Sequence, residues 1–85
     1  MTIQAEISLY PLKTARLQPV LDRFLERLDQ HDIEIVEGAM SSRVRGGTTD
    51  VFAALSDAFS AVAEDHSVVL ILKASNACPA EPETS

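Results

Sequence analysis

The first ten residues constrain the fold more than any other stretch. From Thr2 to Pro11, Ile3, Ala5, Ile7 and Leu9 alternate with Gln4, Glu6, Ser8 and Tyr10. A period of two places these sets on opposite faces of an extended strand, one apolar and one polar. Helices covering the apolar face leave Glu6, Ser8 and Tyr10 together on the other, where a small ligand or a partner can meet them.

The remaining segments give the strand its neighbours. After a connection over Pro11 to Arg16, Pro19 suits a first helical turn, so a helix begins near Leu17 or Gln18. Leu17, Leu21, Phe24 and Leu28 return at helical spacing, with Val20 and Leu25 widening the stripe. Ile33 to Glu37 reads as a strand. A bend near Gly38 and a further strand ending at Gly46-Gly47 follow. Thr48 or Thr49 is placed to cap a second helix, in which Phe52, Leu55, Phe59 and Val62 form the apolar stripe and which runs to about Glu64. The unbroken run Val68-Val69-Leu70-Ile71-Leu72 within Ser67 to Ala74 is a last strand. Asn, Pro, Glu, Thr and Ser dominate afterwards, so the expected division is a domain over 1–75 and a disordered acidic tail over 76–85.

This order, β-α-β-β-α-β, predicts an α+β, ferredoxin-like fold: a four-stranded antiparallel sheet with both helices on one face. The last strand then lies at an edge, where solvated residues should alternate. Val69 and Ile71 are instead as apolar as Val68, Leu70 and Leu72, which predicts a covered second face. A chain of 85 residues buries only about 60–65% of the surface that its unfolded form exposes, and another copy of the chain is the simplest cover.

Composition narrows the function classes. The net charge of −6 argues against a nucleic-acid binder, which needs clustered Lys and Arg. Cys78 is the only cysteine, so no internal disulfide forms and a reducing cytoplasm is the expected location. No apolar run approaches the roughly 18 residues of a membrane span. His31 and His66 show no metal-ligand spacing, and no metal or cofactor is expected. Nucleophile-elbow, dinucleotide, zincin and P-loop motifs are absent, so the chain is read as a non-enzyme. Gly46-Gly47-Thr48-Thr49 reads as a turn and cap before a helix, in preference to an anion cradle.

Glu6 is the sharpest candidate, since a carboxylate in the middle of a central strand needs a partner beneath a second subunit. Arg43 and Arg45 share one parity on the neighbouring strand, so an ion pair of Glu6 with either arginine stands beside ligand binding as an explanation. Tyr10 can stack on a flat ring or pack at an interface. Ser8 and Ser42 supply hydroxyls.

Ala5-Glu6-Ile7-Ser8-Leu9-Tyr10-Pro11-Leu12, the segment Gly38-Ala39-Met40-Ser41-Ser42-Arg43-Val44-Arg45-Gly46, and Lys73 together resemble the small thiamine-binding, YkoF-like family. Ala39, Ser41 and Ser42 stand where that family usually has proline, glycine and threonine, and Arg45 stands where it has glutamate. The resemblance implies a cytoplasmic homo-oligomer, with a tetramer favoured over a dimer. Clefts between subunits would bind thiamine or its hydroxymethylpyrimidine moiety without transforming it. Glu6, Ser8, Tyr10, Met40, Ser42, Arg43 and Arg45 are then the ligand-binding set. Glu6 would accept from the exocyclic amine or balance the cation, and Met40 or Tyr10 would pack on the ring. Arg45 would suit a phosphorylated or anionic ligand instead. A regulatory module for another small molecule and a purely structural assembly domain are the alternatives.

Overall fold

A computed structural model describes residues 1–38 and 41–77. Its elements are β1 (Thr2–Leu12), α1 (Leu17–Leu28), β2 (Glu34–Glu37), β3 (Ser42–Gly47), α2 (Thr48–Ala63) and β4 (Ser67–Ser75). The strands form one antiparallel sheet in the order β2-β3-β1-β4. This is the expected ferredoxin-like arrangement, with β1 and β3 central and β4 at an edge.

Register follows the alternation in β1. Ile7 lies opposite Ser42 on one side and Leu72 on the other, and Ala5 lies between Val44 and Ala74. These residues share the helix-covered face, where Ile3, Ala5, Ile7 and Val44 are buried. Helix α1 contributes Val20, Phe24 and Leu28 to the same core, and α2 contributes Val51, Ala54, Leu55, Ala58 and Val62.

Three local expectations are corrected. Helix α2 is not capped by Thr48 or Thr49. Its cap is Gly47, in an extended conformation and without a side-chain hydrogen bond. The Gly46-Gly47 pair is not a turn either, because it stays in β3, which runs directly into the helix. A Cβ on Gly46 would lie 3.1 Å from Ile33 Cγ2, so the small residue lets the chain after α1 press on the strand. The buried face of α2 also differs from the expected stripe. Phe52 is exposed, and the face centres on Ala54, Ala58 and Ala61 beside Val51, Leu55 and Val62. Small side chains let the helix approach its neighbours closely, a preference that a hydrophobicity-weighted reading passes over in favour of phenylalanine.

The helices are joined at their outer surface by a three-residue clamp. The Arg27 guanidinium donates to both carboxylate oxygens of Asp57, and His31 Nε2 lies 2.9 Å from Asp57 Oδ2. Hydrogen bonding from Arg27, and then from His31, holds the Asp57 carboxyl below its ordinary range. A carboxylate with a depressed folded pKa adds stability that is complete above its unfolded value, near 3.9, and is lost as pH falls through the lower folded value. Asp57→Asn is therefore expected to lower the melting temperature at neutral pH, and to lose less of its remaining stability than the wild type does below about pH 4. Thermal melts from pH 7 to pH 2 check this; parallel wild-type and variant curves would show that the clamp carries no acid-dependent stability.

Candidate functional site

β1 has eleven residues and β3 has six. Their pairing ends at Ile7 opposite Ser42, whereas pairing with β4 continues to Leu12. Among the described residues, β1 therefore has no neighbour on its β3 side from Ser8 onward. α1 passes over the notch this leaves. The result is a cleft of about 200 Å³ lined by Ile7, Ser8 and Leu9 of β1, by Gln18, Leu21, Phe24 and Leu25 of α1, and by Glu37, Gly38, Ser41 and Ser42 around the β2–β3 connection. Apolar walls with polar groups at the rim are the make-up of a small-molecule site.

The rim is oriented by its own hydrogen bonds. Gln18 Nε2 donates to Asp22 Oδ1 at 2.7 Å, which commits one of its two N–H groups and fixes the amide at the cleft rim, its carbonyl oxygen an acceptor. Ser41 Oγ donates to Glu6 Oε2 at 3.0 Å, so Glu6 reaches the cleft through a cleft-lining hydroxyl. Gly38 N–H donates to Ser41 O at 2.8 Å, and a Cβ on Gly38 would come within 2.7 Å of that oxygen. Glycine permits the close approach that shapes this wall.

The residues singled out in the sequence are divided by the sheet. Glu6, Tyr10, Arg43 and Arg45 lie on the open face, and Ser8 shares their parity while its strand edge lines the cleft. Ser42 lies opposite Ile7 on the helix side and lines the cleft directly. Met40 falls outside the described residues. The ion pair expected for Glu6 is replaced by other contacts. Glu6 stands between Arg43 and Lys73 in register, yet among the described residues it forms no ion pair with either arginine, and its hydrogen bond is with Ser41. Arg45 lies opposite Gln4 and Glu34, and its Nη1 is 4.0 Å from Glu34 Oε1. Register carries Arg45 one pair beyond Glu6, toward the edge carboxylate.

Nothing in the local pattern marks Gln18, Leu21, Phe24, Leu25, Glu37 and Ser41 as site residues. The signal that could have found them was the difference in length between the first strand and Ser42–Gly47, which implies an overhang under the first helix. Beside the cleft, a second groove shares Leu25 and Glu37 and is otherwise lined by Asp22, Glu26, Asp29 and Ile35. Among the described residues, no group of three or more His, Cys, Asp or Glu is placed to hold a metal ion. No described helix is long and apolar enough to cross a membrane.

The open face has its own character. Tyr10 and Val69 are register partners, as are Ser8 and Ile71. Tyr10, Val69 and Ile71 are 49%, 42% and 50% exposed. The apolar side chains that the sequence places on both faces of β4 thus form an uncovered patch in the single chain.

Comparison with known proteins agrees with this architecture. A hypothetical protein from Methanocaldococcus jannascii superposes with a TM-score of 0.82 at 26% identity, over 98% of this chain and 87% of that one. A Thermotoga maritima protein provisionally assigned to thiamine biosynthesis or salvage gives 0.77 at 18% identity, over 87% and 82% of the two chains. A domain of unknown function from Bacillus cereus gives 0.77 at 20% identity, over 88% and 75%. No curated protein sequence matches. The model of the YkoF-related family matches residues 2–81, a span that takes in all four strands and both helices, and the chain belongs to that family.

Proposed function

We propose that this chain binds thiamine or its hydroxymethylpyrimidine moiety without transforming it, as a cytoplasmic homo-oligomer that carries, buffers or senses the molecule. Family membership supports a thiamine-related role, and so does the structural likeness to the Thermotoga maritima protein. The observation that carries the reading is the notch beneath α1. At about 200 Å³ it is smaller than the roughly 300–1,000 Å³ of pockets for drug-sized ligands, which suits one flat ring with its substituents projecting outward. Phe24, Leu21 and Leu25 supply apolar walls for the ring. The Gln18 carbonyl and the serine hydroxyls meet donors and acceptors along its edge. In this reading Glu6 positions Ser41, and Tyr10 belongs to the contact between copies.

A small anion held by Arg43 and Lys73 on the open face is the second reading, since both flank Glu6 there. The exposed apolar side chains of that face favour a protein surface over a small anion.

Calorimetric titration with thiamine and hydroxymethylpyrimidine tests the proposal. Saturable binding at micromolar affinity or better, about −8 kcal/mol, supports it. Leu21→Trp should fill the cleft and weaken binding by at least about tenfold, roughly the effect of 1.4 kcal/mol, with the far-ultraviolet circular dichroism unchanged. Full affinity in that variant would place the ligand elsewhere, and no heat from either ligand would reject the reading.

A further inference from the structure

We infer that the cleft selects the cationic, unphosphorylated form of its ligand, with Glu37 as the specificity-determining residue. The inference rests on the proposed function and adds a charge class to it. Among the described residues, neither the cleft nor the adjoining groove has a lysine or arginine in its lining. Arg43 and Arg45, the side chains that could welcome a phosphate, stand on the opposite face of the sheet.

The polar groups that do line the cleft are biased toward accepting. Ser41 has given its hydroxyl hydrogen to Glu6, and Gln18 has given one N–H to Asp22 and offers its carbonyl oxygen. Glu37 is exposed on the edge strand β2, lines both cavities, and makes no ion pair or side-chain hydrogen bond among the described residues. A ligand ring seated under α1 with a substituent leaving toward Leu25 and Glu37 therefore meets an uncommitted carboxylate, with Asp22, Glu26 and Asp29 beyond it. A fixed positive charge on that substituent is attracted, and a phosphate added to the same substituent offsets that attraction and is repelled.

The test compares thiamine, thiamine monophosphate and neutral hydroxymethylpyrimidine on the wild type, Glu37→Gln and Glu37→Lys, at low and high salt. The wild type is expected to bind thiamine about tenfold or more tighter than the monophosphate at low ionic strength, with the ratio shrinking in salt because the charges are exposed. Glu37→Gln should narrow the ratio and Glu37→Lys should abolish or reverse it, with hydroxymethylpyrimidine affinity moving less than thiamine affinity and a far-ultraviolet circular dichroism spectrum like that of the wild type reporting an intact fold. Equal wild-type affinities for thiamine and its monophosphate, or a ratio that Glu37→Lys does not move, would overturn the inference and leave the binding function standing. Failure of all three ligands to bind the wild type would overturn the binding function, and the inference with it.

Discussion

Leu28→Ala is expected to destabilise the fold by about 3–5 kcal/mol, the range for emptying a fully buried leucine site that relaxes only in part. Leu28 is 0% exposed and ends α1. Its neighbours in the core come from both helices and the sheet, so no single loop can collapse into the space. For 85 residues, a typical stability of 0.05–0.15 kcal/mol per residue gives about 4–13 kcal/mol in all. The loss therefore takes at least about a fifth of the total and should lower the melting temperature by at least about 12 °C. Leu17→Ala is the matched comparison. Both leucines lie on the same helical stripe in the sequence, but Leu17 is 46% exposed in the first turn of α1, and its truncation should cost less than about 1 kcal/mol. Denaturant melts of the two variants check this, and equal effects would mean that the core is not centred where Leu28 lies.

Val69→Lys is expected to convert the proposed oligomer to a monomer. Val69 faces the open side of the sheet beside Tyr10, with Ile71 two residues along the same strand. If two copies cover this patch, a lysine there brings a charge from each subunit into a contact that excludes water. An unpaired charge in such a place costs about 3 kcal/mol or more, so the dissociation constant should rise by more than about a hundredfold. Phe52→Lys, on α2 at the other side of the molecule, should leave assembly as it was. Sedimentation velocity at micromolar concentration distinguishes the outcomes. A wild-type monomer would remove the oligomer from the proposed function, and an assembly unchanged in Val69→Lys would move the interface away from the open sheet face.

Much of the architecture was legible in the sequence because it depends on local periodicity. Alternation in Thr2 to Leu12, the helical spacing of Val20, Phe24 and Leu28, and the apolar run in β4 each specify an element from residues close in the chain. Six such elements in the order βαββαβ leave few ways to cover one face of a sheet. The chemistry at the site was less legible. Parity alone places Glu6 on the open face, but its hydrogen bond with Ser41 spans 35 positions. Residue type alone groups Ser42 with Glu6 and Ser8 as a ligand hydroxyl, whereas register puts it across from Ile7 on the helix side.

The sequence by itself thus determined which residues form strands and helices and which side of β1 is apolar, because both are set by the period of a few neighbouring side chains. Only the tertiary structure decided that β3 begins at Ser42, leaving β1 to run on past it, that α1 roofs the notch, and that α2 presents its alanines and turns Phe52 outward. These depend on strand register and on how closely helices pack, which are settled by contacts between residues far apart in the chain.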